Sequence, residues 1–143
     1  MQLWNSDLDN SSRARTYRLF CNFIYQPYLS FIKIEKYRIA LTRFRVSAHR
    51  LEVEAGRWHK PQKTPYSERK CQICNVLEDE FHFLLECPIY TNIRKMYIKK
   101  FYWKNPNILK FTELLKSENE NVLKKLAFFV YKGFEMRNNL QYF

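Results

Sequence analysis

The sequence predicts a mainly α-helical fold, a small helical domain with little or no β structure, and three observations carry that expectation. Apolar residues recur at three- and four-residue spacing along most of the chain, the period of helices with one buried face. Only two glycines are present to interrupt that period. Three of the four cysteines stand with a histidine in one short array, Cys71-Gln-Ile-Cys74 followed by His82 and Cys87, which offers the helices a common point of attachment.

With 143 residues, 46% of them hydrophobic and 17% aromatic, the chain has the length and apolar content to bury a core, which excludes disorder over most of it. Residues 1–10 hold Trp4 and Leu8 among Asn5, Asp7, Asp9 and Asn10, with neither a basic leader nor an apolar stretch, so secretion is not expected. The longest apolar run, Leu126 to Tyr131, is far too short to span a bilayer. The expectation is a protein with no membrane partner and an intracellular location, nuclear among the options. In a reducing compartment clustered cysteines read as metal ligands rather than disulfides.

Taken in order, residues 1–35 form an N-terminal helical segment. Asn10-Ser11-Ser12 supplies cap side chains, and Tyr17, Phe20, Cys21 and Ile24 follow at helical spacing until Pro27 stops them. Cys21 lies on that apolar face and reads as a buried small hydrophobe. From Ile34 to about Leu51 a second helix is expected, because Ile34, Tyr37, Leu41, Phe44, Ala48 and Leu51 share one stripe. Lys36, Arg43 and Arg50 line one flank of it, with Arg38 and Arg45 on the other. Long cationic side chains of this kind either lie across the helix edge with their heads in water or follow a phosphate backbone.

Leu51 to Trp58 reads as a short extended piece or a frayed helix end, with Gly56 in a turn or left-handed cap. Residues 59–70, with Pro61 and Pro65, read as an exposed basic loop in which His59 is a surface residue. Asp79 to Glu86 reads as the first turns of a helix that brings His82 and Cys87 together, with Phe81, Leu84 and Leu85 turned inward. A further helix begins at Pro88 with Ile89, Ile93, Met96 and Tyr97 as its apolar face and Arg94, Lys95, Lys99 and Lys100 as its polar one. Beyond the break at Asn105-Pro106-Asn107, residues 104–143 hold a short helix (Ile108, Phe111, Leu114, Leu115) and a long one (Val122, Leu123, Leu126, Phe129, Val130, Phe134). Gly133 inside the long helix costs about 1 kcal/mol against alanine. The three segments, 1–35, 36–103 and 104–143, are expected to form one compact unit.

The cysteine and histidine spacing carries the chemistry. Cys71 and Cys74, two residues apart, can both face one ion, and His82 and Cys87 supply a second pair. Three thiolates and an imidazole are the donor set of a closed, tetrahedral, structural zinc site, a CCHC zinc knuckle. A catalytic zinc would keep a position open for water. The expected cofactor is therefore Zn2+, held by Cys71, Cys74, His82 and Cys87.

A formal charge of +11 favours a polyanionic partner, nucleic acid above all, and most of the excess lies in residues 1–70, which hold 14 Lys/Arg against 6 Asp/Glu. The phosphate contacts expected there are Arg38, Arg43, Arg45, Arg50, Arg57, Lys60, Lys63, Arg69 and Lys70, with Trp58 or Tyr66 available to stack on an unpaired base. Glu78, Asp79, Glu80 and Glu86, together with the net negative charge of a three-thiolate site, are expected to make the array itself repel phosphate.

The runs Leu41 to Leu51, Glu54 to Trp58, Arg69 to Cys74 and Glu78 to Tyr90 together resemble the zinc-binding region C-terminal to the reverse transcriptase of non-LTR, LINE-type retrotransposons. The resemblance covers about residues 36–103. It implies the same four zinc ligands and a role in positioning RNA template or target DNA. The catalytic aspartates of such a polymerase are missing, since the chain has only Asp7, Asp9 and Asp79, and no nuclease carboxylate and lysine set follows Cys87. The chain is thus expected to be no enzyme but a nucleic-acid-binding accessory module; the alternative is a non-catalytic retrotransposon remnant acting as a structural or protein-interaction domain.

Overall fold

A computed structural model describes residues 28–140. The expected first helix, its cap and Cys21 lie outside the described residues. Within them the order is α1 (Tyr28–Phe31), α2 (Glu35–Arg45), α3 (Glu52–Ala55), α4 (Thr91–Tyr97), α5 (Lys100–Trp103), α6 (Ile108–Leu115) and α7 (Glu120–Leu140). Single turns of 3-10 helix at Gly56–Trp58, Tyr66–Glu68 and Pro88–Tyr90, and one π-helical turn at His82–Glu86, join them. The mainly helical expectation holds: the described residues contain no sheet, only an isolated antiparallel bridge between Lys70 and Leu77.

The long helix α7 is the axis of the core. Leu123, Leu126, Ala127, Phe129 and Val130 are buried along it, at the three- and four-residue steps of one helical face. Asn119 starts it, its side-chain oxygen accepting from Val122 N at 3.1 Å. Helices α2 and α4 both pack on α7; the Tyr37 ring of α2 lies 4.4 Å from Phe128 and 5.1 Å from Tyr131, and α2 buries Leu41 and Phe44 fully. Phe83 sits at the centre, its ring 4.7 Å from Phe134, 4.8 Å from Tyr90, 5.5 Å from Phe129 and 5.8 Å from Phe44. Burying such a ring contributes about 1.5–3 kcal/mol.

Both glycines are explained by close approach. A Cβ on Gly133 would stand 2.5 Å from the Phe83 Cζ, so the missing side chain is what lets that ring reach α7. Gly56 was expected in a turn or left-handed cap, but its φ of −59° is ordinary right-handed backbone. Its role is again space, since an added Cβ would meet the Arg69 Cγ at 2.6 Å.

The expected helix from Ile34 to Leu51 is also shorter than its stripe. It ends at Arg45, and Ser47 follows with φ 62°, a left-handed conformation rare for residues with a Cβ. The Ser47 hydroxyl donates to Glu80 Oε1 at 3.0 Å, a buried bond made possible by that reversal. Leu51 then re-enters the core from a separate element, fully buried.

Candidate metal centre

Cys71 and Cys74 lie on a tight reversal. Cys71 N donates to Val76 O at 2.8 Å, Asn75 N donates to Cys71 O at 2.9 Å, and the Lys70–Leu77 bridge closes the base. Asn75 takes the left-handed backbone conformation (φ 57°) that the reversal needs, which asparagine tolerates better than most residues.

His82 and Cys87 come from the π-helical turn. Five steps along an α-helix leave two side chains about 140° apart around the axis. The wider π turn closes residue i onto i+5 instead, and Cys87 N donates to His82 O at 2.7 Å. Asp79 starts the turn, its Oδ1 accepting from His82 N at 2.9 Å. The sequence placed these two ligands at the end of an ordinary helix, and that geometry is corrected.

The ligand atoms of Cys71, Cys74, His82 and Cys87 all lie within 4.8 Å of one another. The Cys74 and Cys87 sulfurs are 3.9 Å apart, close to the roughly 3.8 Å edge of a tetrahedron with metal–sulfur bonds of about 2.3 Å. Cys71, His82 and Cys87 are buried and Cys74 is half-buried. His82 Nε2 is buried with no hydrogen-bond partner, an orphan that a metal ion would satisfy. On the other side of the ring, His82 Nδ1 lies 3.8 Å from Glu86 Oε1, near enough for charge attraction but beyond hydrogen-bond distance. Burial pushes the Cys87 thiol up to about 12 and raises that of Cys74 as well, so without a cation these two thiols keep their protons. The cluster can hold a metal ion.

The frame around the site is polar and buried. Glu78 receives a two-point grip from Arg137 of α7, Nη2 to Oε1 at 2.7 Å and Nε to Oε2 at 3.1 Å. Burial disfavours the Arg137 charge, but Glu78 outweighs it and raises the guanidinium overall. Glu78 Oε1 also accepts from Glu52 N at 2.7 Å, fastening the reversal to α3. Glu80 accepts from Ser47 and from His49 Nε2 at 2.7 Å; because His49 Nδ1 accepts from Leu51 N, the ring proton lies on Nε2. Arg94 of α4 donates to Leu84 O at 2.8 Å and Phe83 O at 3.0 Å, satisfying carbonyls that the π turn leaves open. Burial lowers the Arg94 guanidinium from its ordinary range.

These bonds correct the expected electrostatics. Glu78 and Glu80 are buried and paired and Asp79 caps a turn, which leaves Glu86 as the exposed carboxylate of the array. The phosphate-contact set divides in the same way. Arg45 is buried, with Nη1 donating to Leu115 O at 2.6 Å and its guanidinium over the Tyr28 ring. Arg69 is buried, donating to Thr64 O and Val53 O at 2.9 Å. Neither can reach phosphate. Arg57 is held by Glu54 at 2.8 Å and Arg38 donates to Ile32 O. Arg43, Arg50, Trp58, Lys60, Lys63 and Lys70 are exposed. His59 is exposed and bonded to Thr64 at 2.7 Å, away from the cluster, as expected.

Arg94 and Arg137 are what the sequence reading missed. Their signal was position: Arg137 lies four residues beyond Gly133 and continues the buried face of α7. Arg94 was placed on the polar side of its helix and Met96 on the apolar side; the structure exchanges them, Arg94 being buried and Met96 exposed. Among the described residues no helix is long and apolar enough to cross a membrane. Comparison with protein-family models, with curated proteins and with solved structures finds no match.

Proposed function

We propose that the chain is a structural-zinc, nucleic-acid-binding accessory module akin to the region C-terminal to the reverse transcriptase of non-LTR retrotransposons. The observation that carries this is the convergence of three thiols and the orphaned His82 Nε2 in one buried cluster. The donor set favours zinc, because thiolate with imidazole in a closed tetrahedron is its preferred structural environment. When bound, the ion supplies a cross-link between two segments of chain.

The nucleic-acid contact falls on the loop before the site. Trp58, with two-thirds of its surface exposed, and Tyr66 offer rings for unpaired bases, and Lys60, Lys63, Lys70 and Arg50 offer charge. Arg69 takes a structural part in this reading: buried against Gly56, it ties the loop at Thr64 to Val53 of α3.

Metal analysis of the purified chain, beside electrophoretic retardation of single-stranded and duplex RNA and DNA at two salt concentrations, tests both parts. The expected result is about one zinc per chain and an affinity that falls steeply with salt, as displaced counterions require. No retardation at about 10 μM protein in about 50 mM salt would remove the nucleic-acid part and leave the metal part standing.

A further inference from the structure

The corner formed by α5 and α6 exposes apolar surface that neither the metal centre nor the basic loop uses. Leu109 is 77% exposed and Phe101 57%, with Ile108 beside them at 51%. Large apolar side chains exposed singly need no explanation, but a group of them marks a contact surface. Leu109 and Tyr102 also line a shallow open groove of about 550 Å³, whose other walls are Thr112, Glu113, Lys116 and Ser117. The groove therefore combines an apolar edge with the hydroxyls of Tyr102, Thr112 and Ser117, one carboxylate (Glu113) and one ammonium (Lys116).

Charge says what would sit there. Residues 95–116 contain six lysines and a single acidic residue, Glu113. Lys99, Lys100, Lys104 and Lys116 are exposed, and the ion pairs of the neighbouring helix are made by other lysines, Lys124 and Lys132. Lys110 lies over the Phe101 ring at 4.9 Å and donates to Lys104 O at 3.0 Å, so it stiffens the corner.

We propose that this corner is a docking face for an acidic amphipathic segment of a partner protein. Apolar side chains of such a helix, three and four residues apart, match the groove and the Leu109 edge, while its carboxylates meet the lysines around them. Nucleic acid fits less well: Leu109 and Ile108 have no ring for a base to stack on, and Lys110 already covers Phe101. A bilayer fits less well because the groove is concave. A second copy bringing the same face would set lysine against lysine.

The test uses the full metal-loaded chain and a labelled synthetic helix with leucines at i, i+3, i+4 and i+7 and glutamates elsewhere. Fluorescence anisotropy reads affinity, and amide chemical shifts read location. The expected result is saturable binding that shifts residues 99–117, weakens at least about tenfold in Leu109→Glu, and is absent for the same helix with lysines in place of glutamates. Because Leu109 is so exposed, Leu109→Glu should keep the parent's circular dichroism, metal content and oligonucleotide binding. The proposal is overturned if the peptide leaves those residues unshifted, if Leu109→Glu binds it as tightly, or if oligo(U) or phosphatidylserine vesicles shift these residues where the peptide does not.

Discussion

The reversal carrying Cys71 and Cys74 and the π turn carrying His82 and Cys87 supply two ligands each, yet they are held by different physics. The π turn is embedded: Phe83, Leu84 and Leu85 are buried beside its ligands, and Arg94 closes its carbonyls. The reversal stands at the surface, with Ile73 and Val76 exposed, and is tied down by backbone bonds and by Glu78 in the grip of Arg137. One half of the site is positioned by the core, and the other by a few polar bonds. A bound ion would add a cross-link between these two differently held halves.

Removing the metal should separate the two halves most sharply. Structural zinc contributes roughly 10–16 kcal/mol in small zinc-finger peptides, comparable with the roughly 5–15 kcal/mol net stability of a domain. Chelation or Cys74→Ser should melt residues 66–100, with amide exchange fastest at residues 69–78 and protection persisting longest in α7. Equal protection of both halves after metal removal would erase the distinction.

Arg137→Met attacks the polar anchor of the reversal while sparing the π turn. It strands the buried Glu78 carboxylate, and losing one partner of a buried pair costs about 3–5 kcal/mol. Denaturant unfolding measures the loss, and exchange mapping should place it at residues 52–54 and 69–78. Gly133→Ala attacks the other half. In an open helix the change would gain about 1 kcal/mol; here the new Cβ meets Phe83 at 2.5 Å, so a loss of about 1–3 kcal/mol is expected. A higher melting temperature in this variant would show that the ring yields freely.

Acid should weaken the metal site through its thiols. Cys87, pushed up to about 12, and Cys74, raised also, are protonated in the metal-free chain near neutral pH, and each must lose its proton to bind. Affinity therefore falls as pH falls, by about tenfold per pH unit for each proton released. Calorimetry in buffers of different ionisation heat counts those protons. The smallest effect on stability belongs to the loop. Trp58→Ala with Lys60→Ala and Lys63→Ala should leave the unfolding free energy within about 0.5 kcal/mol of the parent while weakening oligonucleotide retention. Arg69→Ala should do the reverse, lowering stability by about 1–3 kcal/mol through lost buried hydrogen bonds.

Much of the helical plan was legible because period alone reveals a buried stripe: Leu41, Phe44, Phe111, Leu114, Leu126 and Phe129 were all read as apolar-face residues and all are buried. The four candidate ligands were legible because thiols and imidazole at short spacing form a small set. What spacing could not show was the backbone between them. Ser47 turns left-handed for a bond to Glu80, thirty-three residues away, and no local pattern signals that. The cations were misread for the same reason, because Arg45 and Arg69 look like Arg43 and Lys70 until their carbonyl partners come into view.

The sequence by itself determined the helical class and the cluster of donors, since both follow from periodicity and ligand chemistry within short stretches of chain. Only the tertiary structure decided that Glu78, Glu80, Arg94 and Arg137 are internal fastenings of the site rather than surface charge. Burying a charge is tolerable only beside a partner, and here those partners come from distant parts of the chain: Glu78 and Arg137 stand fifty-nine residues apart.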